Sequence, residues 1–213
     1  MVKVLRAKIV LVGDGGVGKS SFRRVWLGDT FQAQYLMTLG ADFAAKEVKI
    51  EYGPTKTEYL IKYQIWDLAG QPRFKVVSNL YYRGAVAALC FFDITNPNSF
   101  MNVEEWISSF WKLNGQGERP LMLVGAKCDL RGMISYHGQV STAQGIEYAK
   151  RLSRLVQETH GFSIHYVETS SKENVNIDET FRLLSTEIIN SLIHKQKLQS
   201  QNRESNALPL RLP

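Results

Sequence analysis

The chain turns on eight residues, Gly13-Asp14-Gly15-Gly16-Val17-Gly18-Lys19-Ser20, which match the pattern G-x-x-x-x-G-K-[ST]. Each part has a chemical reason. Glycines let the backbone wrap an anion without Cβ clashes. Successive N–H groups, and the N-terminus of a following helix, then point at a phosphate. Lys19 places a positive charge on the β- and γ-phosphates, and the Ser20 hydroxyl is a hard oxygen ligand suited to Mg²⁺. The plain alternative is a glycine-rich turn that happens to end in Lys-Ser. Its setting counts against that: the motif leaves an apolar run, VLRAKIVLV over 4–12, and enters a helical pattern over 19–27. The motif specifies a nucleoside triphosphate but not its base.

Outward from this loop, residues 4–12 read as a buried first strand. Residues 28–39 show no clear period and read as a loop. The runs 42–51 and 58–67 read as strands joined at Gly53-Pro54 into a hairpin. Residues 71–83 read as part loop and part helix, and 85–93 as an apolar strand. Asn96 as N-cap and Pro97 in the first helical position open a helix to residue 113. A fifth strand spans 121–127. Ser141 starts a helix carrying Ile146, Ala149, Leu152 and Val156 at helical spacing, and Gly161 ends it. Residues 162–168 read as the sixth strand, and Ile177, Phe181, Leu184 and Ile188 mark a closing helix. Strands alternating with helices predict an α/β protein of the three-layer P-loop type. Its six-stranded sheet is mostly parallel with one antiparallel edge strand, and helices cover both faces. One domain is expected over 1–194 and a disordered polar tail over 195–213.

Hydrophobic residues make up 44% of the 213 and charged residues 22%, values of a globular chain rather than a disordered or fibrous one. The net charge of +6 favours anionic partners such as nucleotides or acidic surfaces without choosing among them. Cys90 and Cys128 sit in apolar runs that read as strands, so both are expected to be buried free thiols. Met1-Val2-Lys3 lacks the glycine of an N-myristoylation signal, and Leu210-Arg211-Leu212-Pro213 offers no prenylatable cysteine. With no segment apolar enough to span a bilayer, a cytoplasmic location is expected, with peripheral contact to membranes left open.

A second constellation, Asp67-Leu68-Ala69-Gly70-Gln71, follows the third strand. An aspartate at a strand end beside a phosphate loop can hold Mg²⁺ through water. Gly70 can donate its N–H to a γ-phosphate, and Gln71 can orient an attacking water. Together with the phosphate loop, these residues resemble the Ras superfamily of small GTPases, closest to its Rab and Ras branches. The resemblance covers about residues 4–190, and the motifs fall in family order. It implies that Thr38, between phosphate loop and hairpin, reaches Mg²⁺ with its hydroxyl and the γ-phosphate with its N–H.

The base end resembles the family as well. Ala126-Lys127-Cys128-Asp129 stands where the family has N-K-x-D. Asp129 would accept two hydrogen bonds from guanine that adenine cannot donate, and so reject adenine. The resemblance places the Lys127 stem on one side of the base and Phe31 on the other. Glu168-Thr169-Ser170-Ser171-Lys172 resembles E-T-S-A-K, whose N–H groups contact the guanine oxygen. Two departures stand out. Ala126 replaces an asparagine that ties the base motif to the phosphate loop, which predicts weaker affinity and faster exchange. Pro72 follows Gln71 where relatives carry glutamate.

The expected phosphate and nucleotide contacts therefore run through Gly15, Gly16, Val17, Gly18, Lys19, Ser20 and Ser21. At the other end they run through Phe31, Lys127, Asp129, Ser170, Ser171 and Lys172. Mg²⁺ would be held by Ser20, Thr38 and, through water, Asp67. Hydrolysis of GTP to GDP would rest on Gln71, Lys19 and Gly70, and would be slow because no arginine is plainly supplied in cis. Thr38 and its neighbours resemble the family's first switch and Asp67 to Gln71 its second, and Arg73 is read as a solvated switch residue. Phe74, Tyr81 and Tyr82 are candidates for an effector patch or for core. Effector, exchange-factor and GTPase-activating proteins are the expected partners of a monomer, with no nucleic acid. The competing reading is a catalytically inert guanine-nucleotide scaffold. An ATP-directed P-loop enzyme is disfavoured by Asp129.

Overall fold

The computed structural model describes residues 2–31, 41–68, 80–115, 118–133 and 138–207; Thr38, Gly70, Gln71, Pro72, Arg73 and Phe74 lie outside them. In chain order the elements are β1 (Lys3–Gly13), α1 (Lys19–Leu27), β2 (Ala41–Tyr52), β3 (Thr57–Leu68), β4 (Ala87–Asp93), α2 (Pro97–Met101), α3 (Val103–Asn114), β5 (Leu121–Ala126), α4 (Thr142–His160), β6 (His165–Thr169) and α5 (Ile177–Ala207). The sheet runs β2-β3-β1-β4-β5-β6. All neighbours are parallel except β2 and β3, which pair antiparallel from Ala41↔Leu68 to Tyr52↔Thr57. This is the sheet the sequence predicts. Its hairpin closes on Gly53 at φ 73, with Lys56 N–H donating to the Gly53 carbonyl at 3.0 Å.

Side-chain alternation along β1 splits the core in two. Ile9 and Leu11 join Phe22 and Trp26 of α1 and Phe181 and Leu184 of α5. Val10 and Val12 join Trp106 and Phe110 of α3 and Leu152 and Val156 of α4. Trp26 stacks on Phe181 with ring centroids 3.5 Å apart, which fastens α1 to α5.

Several local expectations differ from the structure. The helix opened by Asn96 breaks into α2 and α3 at Asn102, whose side-chain amide reaches across to Asp14. The fourth and sixth strands begin at Ala87 and His165 rather than 85 and 162. Ala85, Phe162 and Ile164 are buried all the same; apolar character reports burial, not ladder pairing. In α4, Ile146 is 40% exposed while Ala149, Leu152 and Val156 are buried. Cys90 is buried in β4, but Cys128 sits half-buried in a 3₁₀ turn over Cys128–Leu130; both are free thiols. Tyr82 belongs to the core and Tyr81 is half-buried.

The backbone also stays helical to Ala207 where disorder was expected from 195. Residues 196–201 are exposed, so packing does not hold that stretch. The run has no proline or glycine before Pro209, and its Lys, Gln, Leu, Arg and Glu residues favour helix on their own.

Candidate nucleotide site

Gly13, Asp93, Ala126 and Thr169 end β1, β4, β5 and β6, and Asp67 stands one residue from the end of β3. All five strands are parallel, so these termini share one edge of the sheet. In the strand order β1 lies between β3 and β4, so the sheet is built outward from β1 in both directions and the order reverses there. Ligands of open α/β sheets bind outside the strand ends at such a reversal.

The phosphate loop is built by close approach. A Cβ at Gly13, φ +133, would sit 2.2 Å from the Phe91 carbonyl oxygen, so only glycine fits. Gly18 caps α1 in the left-handed region, and the helix has neither a side-chain cap nor an acidic residue in its first turn. A helix N-terminus without such a cap or charge suits an anion. Lys19 is 5% exposed, and its ammonium donates to the Gly13 and Asp14 carbonyls at 2.7 Å each. Burial pushes its pKa down to about 8, against the opposing charges of Asp67 and Asp14. Asp14 then anchors the loop to α3: its carboxylate accepts from Trp106 Nε1 at 2.8 Å and Asn102 Nδ2 at 2.7 Å.

Asp67 is wholly buried, and neither carboxylate oxygen completes a hydrogen bond. Burial raises its pKa, while the approach of the Ser20 hydroxyl and the charges of Lys19 and Arg23 oppose that rise. An orphaned carboxylate beside a hydroxyl suits a small hard cation. Among the described residues no group of three or more His, Cys, Asp or Glu side chains gathers to cage a metal. The Ser20 hydroxyl and Asp67 carboxylate are hard oxygen donors of the kind that Mg²⁺ takes together with waters and phosphate oxygens.

The base end is a hydrogen-bonded frame. Lys127 adopts φ +67, and its ammonium pairs with Asp93 Oδ2 at 2.6 Å. Asp93 Oδ1 in turn accepts from the Thr95 amide at 2.9 Å and the Thr95 hydroxyl at 2.7 Å. With its tip pinned, the Lys127 stem becomes a fixed apolar surface. Asp129 Oδ1 accepts from the Ser170 hydroxyl at 2.7 Å, and that hydroxyl accepts from the Glu173 amide at 3.1 Å. The Ser170 amide donates to the Val175 carbonyl at 3.2 Å, closing the turn that carries Ser171 and Lys172. Arg131 forks onto both Glu168 oxygens at 3.0 and 2.6 Å, joining the Asp129 turn to the end of β6. Phe31 is 39% exposed.

Ala126 is 5% exposed, and its methyl lies 3.6 Å from the point a Gly18 Cβ would occupy. A longer polar side chain there would reach the phosphate loop; the methyl leaves the two ends untied. The structure thus brings Lys19, Ser20 and Asp67 together, and Lys127, Asp129 and Ser170 together. Asp93, Arg131 and Arg23 also stand around the site, outside the motifs read from sequence, while Asp14 and Glu168 stood inside those motifs without a stated side-chain role.

The sequence pattern of the Ras family matches residues 8–190. The chain is 36% identical over 182 residues to "Ras-related protein Rab-13" of Rattus norvegicus, covering 85% of this chain and 79% of that one. It is 35% identical over 199 residues to "GTP-binding protein ypt2" of Schizosaccharomyces pombe, covering 93% and 86%. With "GTP-binding protein YPTM1" of Zea mays it shares 36% over 194 residues, covering 91% and 81%.

Proposed function

The chain belongs to the Ras family of small GTPases, and on that premise we propose that it works as a GTP–GDP switch through the crevice just described. It binds guanine nucleotide and hydrolyses GTP, as a regulator of signalling or trafficking. The amides of Gly15 to Ser21 hold the phosphates, and Lys19 leaves its two carbonyl partners to meet the β- and γ-oxygens. Ser20, Thr38 and Asp67 would hold Mg²⁺, which when bound neutralises charge on the phosphates. Asp129, Lys127, Phe31 and the Ser170–Lys172 turn receive the base. Gly70 and Gln71 act at the γ-phosphate.

The observation that carries this reading is the Asp129 carboxylate fixed by Ser170 at the same sheet edge as the Lys19 loop. Single-turnover GTP hydrolysis tests it: a slow rate is expected, falling roughly tenfold or more in Gln71→Leu. An equal rate in both proteins would favour the inert scaffold.

Phe43, 49% exposed, contacts Trp66 at 5.2 Å between centroids, and Trp66 contacts Tyr81 at 5.3 Å. In sequence Phe43 follows the Thr38 segment and Tyr81 follows the Gln71 segment, and this aromatic row supports docking of effector and regulator proteins. The G domain is assigned to 1–194 and a tail to 195–213. The protein is proposed to act as a cytoplasmic monomer; among the described residues no helix is long and apolar enough to cross a membrane.

A further inference from the structure

Arg23 lies on α1, one turn beyond Lys19, and its side chain is 10% exposed. It bonds the Asp42 carboxylate through Nη2 and stands with Nε 3.8 Å from Asp67 Oδ2. Asp42 and Asp67 are direct partners across the antiparallel β2–β3 pair. Two carboxylates so opposed repel, and one of them is wholly buried, with the Ser20 hydroxyl approaching it. The Lys19 ammonium is occupied by two carbonyls. Among the described ion pairs Arg23 is the cation at Asp67, and the Lys19 charge also favours the ionised carboxylate.

We propose that Arg23 is a positioning residue that sets how much divalent cation this site needs to keep its nucleotide. The inference rests on the switch reading above and concerns the same site. A fixed positive charge 3.8 Å from Asp67 competes with a divalent cation for that carboxylate. It also steadies the carboxylate when the cation leaves. Asp42 draws part of that charge away, so the balance between the two aspartates tunes the metal's hold.

The test loads the full chain with N-methylanthraniloyl-GDP and follows its release across buffered free Mg²⁺. The readout is the Mg²⁺ concentration that gives half-maximal protection. Arg23→Leu should lower it roughly tenfold. Asp42→Asn, which leaves Arg23 wholly to Asp67, should raise it. A parallel rise in release at every Mg²⁺ concentration, saturating included, is the mark of a merely structural role of Arg23 and overturns the proposal. If Arg23→Leu does not fold, the Asp42→Asn arm decides alone, and an unmoved half-point there overturns the proposal. So does an unmoved or raised half-point in Arg23→Leu. An unsubstituted chain that holds no guanine nucleotide even at saturating Mg²⁺ would instead overturn the switch reading beneath it.

Discussion

Ala126 ends β5 with its methyl facing Gly18, so no side chain spans from base frame to phosphate loop at that point. Ala126→Asn should restore such a span. One added hydrogen bond is worth about 1 kcal/mol, and nucleotide release should slow roughly fivefold. Stopped-flow or manual-mixing dissociation of a fluorescent GDP checks it; equal or faster release would mean that position 126 leaves affinity alone. Residues of this kind were legible because their motif neighbours are local: the phosphate loop, Asp67, Lys127, Asp129 and Ser170 stand in short patterns. Asp14 and Arg23 were not. Asp14 takes its partners 88 and 92 residues away, and a basic residue on a short helix reads as solvent-facing until the fold brings two aspartates to it.

α4 shows how an element is fixed by its ends and by one tight contact. Ser141 and Gln144 form a reciprocal capping box, and Gly161 closes the helix in the left-handed region. Both ends were readable because caps are written in adjacent residues. The middle was not: Gly145 is buried because Tyr166 lies against it, and a Cβ there would come 2.4 Å from the ring. Tyr166 cannot retreat cheaply, since its hydroxyl donates to Glu168 Oε1 at 2.9 Å and lies 2.4 Å from where a Gly125 Cβ would be. Gly145→Ala gains about 1 kcal/mol of helix propensity. It loses about 1–3 kcal/mol to overpacking, so net destabilisation is expected. Denaturant unfolding measures it; a gain in stability would show that the ring yields. The split of α2 from α3 was equally invisible, because the Asn102–Asp14 bond that marks it is a tertiary contact.

At the scale of the molecule, alternating strand and helix signals were enough to predict the sheet and its one antiparallel edge. The full strand order depended on contacts far apart in sequence. One of these ties three elements. Glu187 of α5 is 5% exposed and accepts from His165 Nε2 of β6 at 2.6 Å, the Ser163 amide at 3.0 Å and Asn190 Nδ2 at 3.0 Å. Asn190 meets Tyr52 of β2. Burial alone would raise the Glu187 pKa, but these bonds outweigh it and hold the carboxyl below its ordinary range. A depressed pKa stabilises the fold above the unfolded value of about 4.3. That stability is lost as pH falls through the lower folded value. Glu187→Gln should therefore cost about 1.5–3 kcal/mol at pH 7, a difference that shrinks as unfolding is repeated at progressively lower pH. A gap independent of pH would point to packing instead of charge.

Base selection is where the whole arrangement can be tested most directly. Competition of GTP and ATP for the unsubstituted protein in Mg²⁺, repeated with Asp129→Asn, reads it in one titration. The account predicts that GTP wins by at least about a hundredfold and that Asp129→Asn removes most of that margin. ATP competing equally with GTP for the unsubstituted chain would contradict it.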